Sequence, residues 1–250
     1  MKSILKYVLK NALRDRLYLG IALLLACVFA ISIFLGSTSA AEKAQNTAVF
    51  ASSSARIIIN LGIILFICLN LSRAFENKEL EFILSKAMSR EKFILSYLSS
   101  FFIAALIIFS IFAIALLLIT KANLIGILIW LGSLALELLI VICFSLLAAL
   151  TLKNSLLAIM ASCSFYLLSR MMGIFILSLE NLNTTDKPIL IYAIKTISLI
   201  FPRLDLFAQS VWINYGFYDY KIFAIIILQS LIYTTLLIFM SFYDFKRKQF

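Results

Sequence analysis

Two charged side chains stand where charge is costly. Glu137 lies midway along one apolar run (LGSLALELLIVICF), and Arg170 lies midway along the next (SFYLLSRMMGIF). An ionisable group at the centre of a bilayer costs at least about 2.5–3.5 kcal/mol on insertion scales, so each needs a partner or water. Counted from the short polar link at 151–154, both sit fourteen to sixteen residues along their runs. That is about 20 Å of depth at about 1.5 Å per helical residue. Helices joined by so short a link are antiparallel neighbours, so the spacing predicts a Glu137–Arg170 pair. Such a pair either fixes helix packing or gives a substrate path a polar wall. The amides Asn60, Asn70 and Gln229 also fall in apolar runs and suit interhelical hydrogen bonds.

A second concentration of charge is ENKELEFILSKAMSREKF at 76–93, between two apolar runs. Leu80, Ile83 and Leu84 fall at i, i+3, i+4, with Phe82 and Met88 beside them and Lys78, Glu79, Glu81 and Lys86 opposite. That pattern predicts a short amphipathic helix over 76–88. Glu76 and Glu79 in its first turn and Lys86 near its end suit the helix dipole. Ser89 is placed to cap the next helix. From the residues alone, this helix either docks in a partner's apolar groove or lies on the membrane surface.

Other chemistries are excluded by what is missing. The sequence has no histidine, which removes Ser-His catalysis and most zinc sites. One carboxylate in the spans cannot build an aspartyl pair. The cysteines Cys27, Cys68, Cys143 and Cys163 lie singly in apolar runs, with no CxxC, and read as small hydrophobes rather than metal ligands. No GxxxxGK[ST] occurs, so this chain has no P-loop for nucleotide. No catalytic residue, cofactor or metal site is read, and the chain is not expected to be an enzyme.

The elements that must position these groups are membrane helices. Of 250 residues, 64% are apolar, against about half in a soluble domain. Six runs are long enough to cross about 30 Å of hydrocarbon: near 17–36, 57–75, 93–120, 124–150, 155–179 and 222–243. Continuous runs with two prolines and seven glycines predict an all-α polytopic fold rather than a barrel. The run at 189–201 is too short to cross, carries Lys195 and stops at Pro202, so it reads as re-entrant or interfacial. Residues 1–16 carry Ile4, Leu5, Val8 and Leu9 on one face and lysines beside it, an amphipathic elbow helix on the membrane surface. The small polar stretch at 37–55 reads as an exposed connection.

With six spans, both termini share a side with the links at 73–92 and 151–154. That side holds fourteen Lys and Arg, and the other holds seven, Arg56 among them. The positive-inside rule then places both termini in the cytoplasm. Basic residues at span ends explain the charge of +10 without nucleic acid. One domain, 1–250, is expected in a lipid bilayer, with no removable leader.

The run Ile83-Leu84-Ser85-Lys86-Ala87-Met88-Ser89-Arg90 resembles the cytoplasmic loop between the second and third spans of ABC-2 type transporter permeases. There the pattern is an acidic residue, a leucine-rich turn, then a segment like L-L-S-R-P-V-S-R. Ala87 stands where that pattern has proline. The tail SFYDFKRKQF is similar to that of the permease subgroup with the copper-enzyme maturation and gliding-motility transporters. The resemblance implies an exporter subunit in a bacterial cytoplasmic (inner) membrane, paired with a second permease as homodimer or heterodimer. It implies a separate ATP-binding-cassette ATPase, met by a coupling helix whose contact residues are Glu76, Glu79, Leu80, Ile83, Leu84, Ser89 and Arg90. The alternative is a membrane protein that uses no ATP, a secondary carrier or an assembly factor. Carriers favour paired repeats and helices broken at mid-membrane, and the sequence has neither sign.

Overall fold

The computed structural model describes residues 16–38, 43–77, 89–119, 124–152, 154–181, 196, 201–217 and 220–247. Six long helices account for most of them: α1 (Arg16–Thr38), α2 (Lys43–Glu76), α3 (Arg90–Ile119), α4 (Leu124–Leu152), α5 (Ser155–Asn181) and α7 (Tyr220–Arg247). Each is long and apolar enough to cross a membrane. Between α5 and α7 lie a 3₁₀ turn (Leu204–Leu206) and the five-residue α6 (Val211–Tyr215). No strand occurs among the described residues. The fold is all-α, as the unbroken apolar runs require.

α4 is the hub, in contact with α2, α3, α5, α6 and α7. Its core face includes Ile127, Trp130, Leu134, Leu138 and Val141, all at most 1% exposed. α2 is the second hub, touching α1, α3, α4, α5 and α6. α1 is bound to α2 and reaches α3 through the Tyr18 hydroxyl, which donates to the Ala104 carbonyl. Large apolar side chains such as Leu23, Ile111, Leu228 and Phe239 face outward, as lipid contact demands. Local signals set the helix starts. The Ser89 hydroxyl accepts the Lys92 N–H at 3.4 Å, and Asn154 Oδ1 accepts the Leu156 N–H at 2.9 Å.

One expected loop is corrected. Residues 43–55 are helix, so the helix that carries the second apolar run begins fourteen residues before the expected 57. Ala48, Ala51, Ser52 and Ala55 recur at i+3 and i+4 and are completely buried. Their smallness allows close packing; it is no mark of a connection. The elbow helix lies outside the described residues except Arg16, which opens α1. The re-entrant run at 189–201 likewise lies outside them, apart from Thr196 and Phe201.

Candidate functional site

Three helices converge on residues 204–214, which hold the 3₁₀ turn, a short link and most of α6 between α5 and α7. α4 presents Gly126, Trp130, Ser133 and Glu137, spaced four, three and four residues apart on one face. α2 presents Ser53, Arg56 and Asn60. α5 presents Tyr166, Arg170 and Gly173.

Arg56 is the centre. Its Nε donates to Glu137 Oε2 at 2.6 Å, Nη1 to the Ala208 carbonyl at 3.2 Å, and Nη2 to the Leu204 carbonyl at 2.6 Å. Both members of the ion pair are at most 1% exposed. Asn60, one turn along α2, donates to Glu137 Oε1 at 3.4 Å and to the Arg56 carbonyl at 2.9 Å. Trp130 Nε1 donates to the Ala208 carbonyl at 3.0 Å, and Ser133 Oγ accepts the Ala208 N–H at 2.9 Å. Arg170 Nη1 donates to the Leu204 carbonyl at 3.3 Å. Further out, Ser53 and Ser210 share a 2.9 Å bond, and Asn214 Nδ2 donates to the Gln45 carbonyl at 3.1 Å.

Non-helical backbone buried among helices leaves polar groups that something must bond. Here arginine, indole and hydroxyl do so around Leu204 and Ala208. Ala208 adopts φ 39°, a left-handed conformation costly for a residue with a Cβ. Bonds to both its N–H and its carbonyl hold it there. Close approach is bought by two glycines: a Cβ on Gly126 would strike the Trp212 carbonyl, and one on Gly173 would lie 2.5 Å from Asp205 Oδ2. Asp205 is paired with Arg203 at 3.0 Å.

The expected Glu137–Arg170 pair is therefore corrected in its partner. Glu137 bonds Arg56, from α2, and Arg170 bonds the Leu204 carbonyl that Arg56 also reaches. Similar depth along two helices does not fix which way a side chain points around the axis. Arg56 was counted with the outward charges because α2 was expected to start at 57. The available signal was Arg56 and Asn60 at i, i+4, next to a small-residue stripe. Trp130 and Ser133, at i−7 and i−4 from Glu137, were missed, as was the backbone that they hold.

At the opposite end of the bundle, Arg90 Nη1 donates to the Phe245 and Lys246 carbonyls, both at 2.9 Å. This caps the end of α7. Lys246 pairs with Glu91 at 3.0 Å, and the Phe93 and Phe245 rings stack with centroids 5.5 Å apart. Glu76 closes α2, and Ser89 and Arg90 begin α3. Glu79, Leu80, Ile83 and Leu84 lie outside the described residues.

No family model matches the chain, and no curated protein matches it.

Proposed function

We propose that the chain is the permease subunit of an ABC-2 type transporter, an exporter in a bacterial cytoplasmic membrane, driven by a separate ATPase. The observation that carries this reading is the join between the amphipathic run at 76–88 and the bundle. The run links α2 to α3, and the residues directly after it are clamped to the end of α7 by Arg90, Glu91 and Phe93. A push on that run has a direct route into the last span. α7 packs along α4, which carries Glu137 and the contacts to Ala208.

In this reading, residues 1–16 form the elbow helix, and 76–90 form a coupling helix seated in the ATPase. Leu80, Ile83 and Leu84 enter an apolar groove, and Glu76 and Glu79 meet basic residues at its rim. Ser89 and Arg90 hold the helix to the bundle. The segment between α5 and α7 is re-entrant from the outer side, and Arg56 fixes it. Both termini are cytoplasmic, and two permeases pair with two ATPases.

The test is purification of the tagged chain from its host. An ATP-binding-cassette protein should copurify in stoichiometric amount, and Leu80→Asp or Leu84→Asp should remove it while the permease stays folded. Unchanged copurification in both variants sinks the docking claim. Absence of any such ATPase leaves a carrier or assembly factor that uses no ATP.

A further inference from the structure

The faces that α2 and α5 turn to each other are polar. On α2, Asn60, Cys68 and Ser72 stand on this side, each at most 2% exposed. On α5, Ser162, Tyr166 and Ser169 recur at helical spacing, each at most 1% exposed. The faces meet where Cys68 Sγ lies 3.9 Å from Ser162 Oγ, and where Tyr166 stands beside Glu137 and Asn60.

Four polar atoms in this seam have no hydrogen-bond partner: Asn60 Oδ1, Ser72 Oγ, Tyr166 Oη and Ser169 Oγ. Helical serines commonly return their proton to the carbonyl four residues back. Ser96, Ser145 and Ser241 do so here. Ser72 and Ser169 do not. Tyr166 Oη faces the Glu137 carboxylate and the Asn60 amide, the groups nearest to bonding it. Buried groups of this kind are costly unless something bonds them, and in native proteins that is protein or ordered water. A water needs several polar partners converging on a polar site, and Asn60, Tyr166 and Glu137 offer three.

We infer that the α2–α5 seam binds water. Water enters between these two helices in the folded protein, bonds Asn60 Oδ1, Tyr166 Oη and the two serine hydroxyls, and brings solvent to the Glu137 carboxylate. The inference stands on the seam's own groups and is independent of what drives the chain.

Two native cysteines make the test. Cys68 lies in the seam, and Cys143 lies on α4 among apolar neighbours; each is at most 1% exposed. Cys68 is eight residues from Glu76 and Cys143 nine from Leu152, about 12 Å and about 14 Å from the same end of the bundle at about 1.5 Å per residue. Variants of the full chain keeping one cysteine each are reconstituted in liposomes, checked for a single gel-filtration species, and treated with a charged methanethiosulfonate. Such a reagent travels through water and not through a packed apolar core. Cys68 should react at least about tenfold faster than Cys143, about 1.4 kcal/mol in barrier. Asn60→Leu or Tyr166→Phe should slow Cys68 severalfold. Equal rates for the two cysteines overturn the inference, and so does a Cys68 rate indifferent to both substitutions.

Discussion

Arg56 carries three duties with one guanidinium: it neutralises Glu137 and satisfies two carbonyls of an irregular segment. Arg56→Gln strands a buried carboxylate and removes donors from Leu204 and Ala208. Breaking a buried pair from one side costs about 3–5 kcal/mol, so this variant should show the largest drop in thermal unfolding temperature in detergent. Glu137→Gln leaves Arg56 its two carbonyls and should cost less. Arg170→Gln loses one 3.3 Å bond from a partly buried group and should cost about 1 kcal/mol. If Arg170→Gln proves as damaging as Arg56→Gln, the pair assignment fails. Glu137 could be recognised from sequence because a carboxylate among leucines needs a reason. Its partner could not, because Arg56 sits eighty-one residues away at a helix position that looked like a membrane end.

At the scale of elements, six spans were legible because lipid demands long apolar runs and the chain supplies them without interruption. The start of α2 was not, because small polar residues serve both loops and tight helix packing. The held segment at 204–214 was less legible still, since its backbone is fixed by side chains from three helices. Its grip on α4 should be measurable. Ser133→Ala removes the acceptor for the Ala208 N–H, and amide exchange over 204–213 should rise by about fivefold, matching about 1 kcal/mol. Gly126→Ala drives a methyl against the Trp212 carbonyl, a backbone atom that cannot swing aside, and should raise exchange over the same residues more. Arg90→Gln uncaps α7, so exchange should rise over 242–247 and stay unchanged over 204–213. A rise at both ends would mean that the capping contact acts on the whole bundle rather than on α7.

At the scale of the whole molecule, two regions stand apart. In sequence a charged run joins α2 to α3, and an irregular segment is held between α5 and α7; α4 and α7 pack on each other. The resemblance in sequence gives the first region its proposed partner, and the geometry gives the second region its anchor. The most direct test places a photocrosslinking residue singly at Glu79, Leu80, Ile83 and Leu84 in the full chain, in its native membrane. Adducts are identified by mass spectrometry, with Phe239 on the exposed side of α7 as control. The account predicts adducts at Leu80, Ile83 or Leu84 with a protein that carries GxxxxGK[ST], and none from Phe239. If none of the four positions yields such a protein, the chain does not meet an ATPase through this run, and the proposed function is contradicted.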